Sequence, residues 1–373
     1  MKKRAKAITV ISAVPLAAAL LSMGCPLREF GRAPEDLSAY TGLTYFADGK
    51  FLNPEPISFY PERVGDGGFS WLRLILPNVN APENPLPMQR LTRESFAEKP
   101  EELAVYWLGH SFLIIEMEGK RFLVDPVFSN AAPLPFVVRR YGPPPLEREE
   151  LPPVDYVLIT HDHYDHLEYR TIRHLRNREI PFIAPLGVGA HLAAWGVPPE
   201  RIREMGWGDE FSEDGISIIA ERARHFSGRT FSTRASSLWV SYVLKGHGHR
   251  IFISGDTGYG EHLRAMGDKY GPFDLALMEI DAWNAGWPES HLFPAEVIQA
   301  CHDVRAEALI PVHWGVFDLA LHPWDESIRA VCTLADEDGG ITLLTPLMGQ
   351  KLIPGVTPVS RWWETPSYIS PRK

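Results

Sequence analysis

Three histidines and two aspartates crowd into residues 161–166, HDHYDH, directly behind the apolar run DYVLIT. Imidazole nitrogen and carboxylate oxygen suit zinc and related divalent ions. His161 and His163 stand two apart, a spacing that on a helix sends side chains to nearly opposite sides. On a loop leaving a strand, both can turn toward one ion. Asp165 and His166 fall where the next helix starts and can face a neighbouring ion. Six residues cannot complete two coordination shells, so further ligands must come from afar. Candidates stand where other apolar runs end: His225 after AERAR, Asp256 after IFISG and His313 after ALIPV. Strand ends hold side chains on a rigid base. A lone H-x-H is common; H-x-H-x-D-H followed in order by H, D and H at strand ends is not.

The elements that must position these groups are legible from Leu103 onward. AVYWLG, FLIIEM and RFLVD read as short strands, and DYVLIT as a strand buried on both faces. FIAP, GISIIAERAR, SSLWVSYVLK, IFISGD, FDLALMEI, EALIPVHW and GITLLT continue the strand series. Helical spacing marks YRTIRHLRNR, GVGAHLAAWG, YGEHLRAMGDKYG, FPAEVIQACHDV and PWDESIRAVCTLADE. Interleaved strands and helices predict a single α/β domain at 101–350 with helix-covered sheets. Residues 25–100 are proline-rich and aperiodic, and read as an arm wrapped on the domain in which Phe59, Phe69 and Trp71 find burial. Residues 351–373 read as a tail.

The chain has 373 residues, enough for a sizeable core. MKKRAK, then AITVISAVPLAAALLSMGC without a charge, has the form of an export signal over residues 1–24. Cys25 stands where a bacterial lipoprotein takes its lipid, although Ser22 occupies a position usually held by Leu. The expectation is an envelope protein, lipid-anchored at Cys25 on the periplasmic side and meeting the membrane from its surface. Removing Lys2, Lys3, Arg4 and Lys6 takes the formal charge from −10 to −14. So acidic a body offers no broad attraction to phosphate backbones, which argues against nucleic acid. Cys301 and Cys332 could pair, but two cysteines make no disulfide framework.

The constellation resembles the metallo-β-lactamase fold superfamily, whose signature is H-x-H-x-D-H with a further His, Asp and His. Within it the chain is similar to N-acyl-phosphatidylethanolamine-hydrolysing phospholipase D and its bacterial relatives. The matching stretches are YWLGHSFLIIEM, LVDPVFSNAAP, RRYGPPPLE, LPPVDYVLITHDHYDHL, SGDTGY, HLFPAEVIQ and IPVHWGVF. The resemblance implies a four-layer αββα fold of two mixed sheets between helices, and two Zn²⁺ per chain. It places His161, His163 and His225 on one zinc, Asp165, His166 and His313 on the other, and Asp256 between them. His163 in place of a glutamate argues against the di-iron oxidoreductase branch.

Two divalent ions about 4 Å apart can share and deprotonate a water, making it the nucleophile. The expected activity is hydrolysis of a lipid-like phosphodiester. A lactonase or other carboxylic-ester hydrolase is the alternative, and a membrane-tethered binding protein without turnover is a third reading. Asp125 is expected to orient a ligand histidine, the alternative being a turn aspartate before Pro126. His110 and His291 are candidates to line the site or move a proton, beside ordinary roles as a core histidine and a helix cap. His174, His191, His262 and His302 read as fillers, the GHGHR turn as a solvated loop, and Arg139 and Arg140 as a solvated pair. The segments 128–141 and 283–293 are candidate walls of an acyl groove.

Overall fold

A computed structural model describes residues 28–64, 75, 78–99 and 102–365. The expected signal, Cys25, Phe69 and Trp71 lie outside the described residues. Among those described, no helix is long and apolar enough to cross a membrane.

Two seven-stranded mixed sheets stack face to face. One runs, edge to edge, Lys351–Leu352, Ala104–Trp107, Leu113–Met117, Lys120–Val124, Tyr156–Leu158, Phe182–Pro185 and Ile202–Met205. The other runs Thr342–Leu343, Ala308–Val312, Leu275–Glu279, Arg250–Ile253, Val240–Lys245, Ile216–Arg222 and Glu210–Glu213. Each sheet is antiparallel over one part and parallel over the rest, the parallel part running from Lys120–Val124 to Ile202–Met205 in the first and from Arg250–Ile253 to Thr342–Leu343 in the second. Parallel strands deliver their C-terminal ends to one edge, where the crevices of α/β sheets bind ligands. Asp125, His161, Asp256, Glu279 and His313 all stand at such ends.

Helices Tyr169–Leu175 and Gly189–Ala194 belong to the first sheet's side, and Glu261–Tyr270, Pro294–Val304 and Glu326–Asp338 to the second's, completing the αββα layers. Strand residues alternate between two cores, as a two-residue period requires. Leu113, Ile115 and Met117 enter the larger core, which includes strands of both sheets, whereas Ile114 packs with Ile172, Leu175 and Leu192. Local chemistry sets the helix ends. Pro294 opens its helix and the Glu296 carboxylate accepts from the Phe293 N–H at 2.9 Å. Gly339, at φ 67°, closes the last helix.

The strands Ile202–Met205 and Glu210–Glu213 went unread in the sequence, because EFSE offers little apolar signal at a sheet edge. The segment beyond residue 350 is also more than a tail. Lys351–Leu352 pairs with Tyr106 and Val105, and Trp362 and Trp363 are buried. Trp362 stacks on Trp314, which stacks on Trp107. The boundary drawn at 350 cuts through this packing.

In the arm, Tyr40 and Phe51 are buried, whereas Phe59, expected to find burial, is not. It is 54% exposed and stacks on Trp287. Arg121 ties the arm's end down. Its Nε donates to Glu116 Oε1 at 2.7 Å, and other guanidinium N–H groups reach the Pro153 and Phe96 carbonyls at 2.8 and 3.1 Å. Both members of the pair are buried. Breaking such a pair strands a charge. Arg121→Met is therefore expected to cost about 3–5 kcal/mol in urea unfolding, and the Glu116→Leu/Arg121→Met double variant to recover much of that loss.

Candidate metal centre

The strand ends bring all seven predicted ligands together in two adjoining groups. In the first, His161 Nε2 lies 2.9 Å from His163 Nδ1, His225 Nε2 lies 3.3 Å from that same Nδ1, and Asp256 Oδ2 is 3.8 and 3.6 Å from His161 and His225. In the second, Asp165 Oδ2 is 3.5 Å from His166 Nε2 and 3.7 Å from His313 Nε2. Asp256 belongs to both, with Oδ1 3.2 Å from His166 Nε2 and Oδ2 3.1 Å from His313 Nε2.

These residues fit a metal on three counts. Four ligands at about 2.1 Å around a tetrahedral ion stand roughly 3.4 Å from one another, and the measured separations scatter about that value. The Nε2 atoms of His166 and His313 and Oδ1 of Asp256 are buried and satisfy no hydrogen bond, as expected of atoms that wait for a metal. The donor set holds no sulfur, unlike most structural zinc sites.

Outer contacts fix which nitrogen is bare. Asp125 Oδ2 faces His166 Nδ1 at 2.7 Å while accepting from the Thr160 hydroxyl at 2.6 Å, and Oδ1 accepts from the Thr160 N–H at 2.8 Å. Asp125 thus orients a histidine, and the turn-aspartate reading falls away. The Thr160 oxygen lies 3.1 Å from His161 Nδ1, and His225 Nδ1 donates to the Ser290 carbonyl at 2.9 Å. In each case Nε2 is left for the centre. His110, Asp125 and His313 sit at φ 55°, 42° and 68°, and the His313 N–H donates to the His110 carbonyl at 2.9 Å. Left-handed residues of this kind persist only where surrounding structure over-determines them.

The electrostatics match. Burial alone would depress every histidine, and it holds His161 and His225 well below the usual range. For His166 and His313, burial is outweighed by Asp256 and Asp165, which raise His313 to about 10. Burial would raise Asp256, but His166 and His313 hold it well below the carboxylate range. The carboxylates demand positive charge, and bound protons are what a metal ion displaces.

His291 lies beside both groups. Its Nδ1 faces Glu279 Oε2 at 2.6 Å, and it caps no helix, that task falling to Glu296. His110 Nε2 contacts Asp165 Oδ2 at 2.9 Å, but the ring is buried and does not border the cavity above the groups. It stands with Asp165, His166 and His313 in one group of donor atoms that could hold a metal ion.

That cavity, of about 640 Å³, has His163, Asp165, Asp256 and His291 on its floor. Its walls are Ile57, Phe59 and Pro61 from the arm, Phe226 and Phe231, and Trp287. The segment 283–293 thus contributes a wall as expected, and 128–141 does not. Arg139 is exposed away from it. Arg140 is no solvated residue: its guanidinium donates to the Val127 and Gly142 carbonyls and lies over Phe317. Arg234, unsuspected in the sequence, is the one cation lining the cavity among the described residues.

Sequence reasoning also missed Glu279, Asp162 and His191. Glu279 closes the strand Leu275–Glu279, so the strand-end rule that found the ligands points to it too. Asp162 is fully buried and accepts from the Gly228 N–H at 2.7 Å and the Ser237 hydroxyl at 2.9 Å, with His191 Nε2 at 3.3 Å. His191 is therefore a buttress of the metal loop, not a filler. His262, His174 and His302 likewise have partners, in Thr257, Arg178 and Asp338. Cys301 and Cys332 are separate buried thiols.

A metal-binding floor at the parallel-strand edge of an αββα sandwich defines a metal-dependent hydrolase of the metallo-β-lactamase fold. Residues 120–314 match the family described as beta-lactamase superfamily domain, and the chain belongs to that superfamily. It is 39% identical over 326 residues to an uncharacterized protein of Mycobacterium tuberculosis, covering 85% of this chain and 87% of that one. It is 32% identical to N-acyl-phosphatidylethanolamine-hydrolyzing phospholipase D 1 of Caenorhabditis elegans, over 64% of this chain and 70% of the relative. A metallo hydrolase from the archaeon Ignicoccus hospitalis shares the fold at TM-score 0.53 and 18% identity, over 67% of this chain and 97% of its own.

Removing the Asp125 carboxylate tests the outer contacts. Asp125→Asn is expected to weaken metal binding about 10–100-fold, read by competition with a chromogenic chelator; unchanged affinity would remove Asp125 from the site.

Proposed function

We propose that the chain is a dinuclear zinc hydrolase of phospholipase D type, cleaving phosphodiesters of N-acyl-phosphatidylethanolamine character at a bacterial envelope membrane to which Cys25 anchors it. One observation carries the reading: two metal-binding groups sharing Asp256 form the floor of a cavity whose walls are mainly apolar. An acyl-bearing substrate suits such walls, and its phosphate suits the floor. The name of the Caenorhabditis elegans relative supports the lipid phosphodiester, and the uncharged segment before Cys25 supports the membrane.

His161, His163 and His225 would hold one ion, Asp165, His166 and His313 the other, with Asp256 between. Ions held there would supply Lewis acidity and would lower the pKa of water toward neutral pH. The chain's own residues do the rest. Asp125, Thr160 and the Ser290 carbonyl keep Nε2 of three histidines bare and directed inward. Phe59, Phe226 and Trp287 exclude water around the lipid portion. As the new P–O bond forms and the bond to the departing alcohol breaks, His291 gives that oxygen a proton, its Nδ1 held by Glu279. Arg234, at the cavity wall, can face a non-bridging phosphate oxygen.

A lactonase or carboxylic-ester hydrolase would need only one polar donor beside the metals, and the single lining cation keeps that reading open to test. Dialysis against a chelator is expected to abolish turnover, with two equivalents of Zn²⁺ per chain restoring it. Bis-nitrophenyl phosphate should be hydrolysed in preference to an acyl lactone; the opposite preference sinks the phosphodiesterase. His291→Gln should lower kcat by about 10²–10⁴-fold with bound zinc unchanged, measured by turnover and metal analysis together.

A further inference from the structure

A second cavity, of about 500 Å³, lies away from the metals where the described chain begins. Arg28, Arg32, Arg173 and Arg176 line it together with Tyr169 and Trp195, and no carboxylate is among its lining residues. Arg170, on the same helix, lines a different cavity, its Nε 3.7 Å from Glu29. Arg32 also reaches the exposed Glu35, and Arg173 the Tyr169 hydroxyl at 3.2 Å. Four guanidinium groups around one opening are unexpected on a chain with a formal charge of −10. Like charges gathered at one opening repel, and they are best tolerated where an anion sits among them.

The arginines of the arm are placed by backbone contacts, and the one carboxylate paired with Arg32, on Glu35, is exposed. Trp195 Nε1 donates to the Arg28 carbonyl at 2.8 Å, and the Arg32 N–H donates to His191 Nδ1 at 2.8 Å. Gly31 makes this docking possible: at φ 68°, a Cβ there would stand 2.1 Å from His191 Nδ1. The buried Arg229 clamps the same segment, donating to the Glu29 carbonyl at 2.7 Å and to the Asp162 and Leu167 carbonyls at 2.7 and 2.9 Å. Two residues on, Phe231 is 94% exposed and lines the mouth of the metal cavity. The basic cavity and the apolar mouth are therefore linked through one short segment.

We propose that the cavity of Arg28, Arg32, Arg173 and Arg176 binds the phosphate of an anionic phospholipid headgroup and docks this face of the protein on the membrane. The inference rests on the reading that the chain works at a membrane. Charge complementarity argues for the ligand, and position argues for its source. Arg28 stands three positions after Cys25, a reach of at most roughly 11 Å, so a chain anchored at Cys25 would hold this cavity against the headgroups. Planar guanidinium groups match phosphate oxygens in bidentate fashion. The docking would also turn the mouth at Phe231 toward the source of a lipid substrate.

The test is partition of the full, zinc-loaded chain onto vesicles of phosphatidylcholine, alone or with about a third phosphatidylglycerol; each basic residue at such a surface is worth roughly fivefold. Binding to neutral vesicles sets the baseline contributed by the apolar N-terminal segment. Anionic lipid should strengthen binding roughly tenfold or more, and Arg32→Gln/Arg173→Gln should lose most of that increment. The charge-matched control Lys50→Gln/Lys245→Gln should keep it. Arg173→Gln alone, expected to lose part of the increment, covers the case in which the double variant folds poorly. No anionic increment, or one that survives the arginine substitutions, overturns the proposal. Loss of the increment to millimolar inorganic phosphate at constant ionic strength would assign the cavity to a soluble anion and overturn it as well. Turnover of bis-nitrophenyl phosphate by the same variants should match the parent, so failure of the hydrolase reading is seen separately.

Discussion

The structure depends on buried donor atoms that converge. Nitrogen and oxygen donors from four separated stretches of chain meet within 2.9–3.8 Å where water is largely excluded. Such an arrangement is unfavourable unless positive charge sits at its centre. Without it, protons on His166 and His313 must compensate Asp165 and Asp256. The two sheets, the strained backbones at His110, Asp125 and His313, and the Trp107–Trp314 stack hold this convergence against its own repulsion. The cost of assembling the site is carried by a large core, which is why so many strands end at one edge.

The candidate ligands were legible because the stretches that carry them follow readable apolar runs, and because parallel strands must share an edge. Periodicity also found the helices and all the long strands. Four things escaped it. Glu210–Glu213 is an edge strand whose stability comes from its pairing partner rather than from its own residues. Asp162 and His191 meet only in the folded chain, and no spacing couples a loop residue to a helix residue so far downstream. Arg140 reads as charge beside charge, yet its guanidinium is consumed by carbonyls of its own loop. Phe59 reads as core, but it is a cavity wall, and an aromatic on a wall has the same letter as one in an interior.

The arm shows how a segment without periodicity can still be integral. Asn53 Nδ2 donates to the His225 carbonyl at 2.6 Å, the Ser58 N–H to Glu289 at 2.8 Å and the Tyr60 N–H to the Gly286 carbonyl at 2.6 Å. Proline keeps this stretch extended, so it spends its hydrogen bonds on the domain instead of on itself. The cavity is thus walled by residues far from the metal ligands in sequence. A reading confined to the metal-binding core would describe the floor without its walls.

The bonds that seat the arm's first residues close very long spans: 159 positions between Arg32 and His191, and 200 between Glu29 and Arg229. Loops of that size form late, because their closure entropy is recovered only after nearer contacts exist. The sheets can therefore assemble while the loop bearing His161 and His163 still lacks its outer brace. The arm's first residues then seat on His191 and Arg229 over a scaffold already in place.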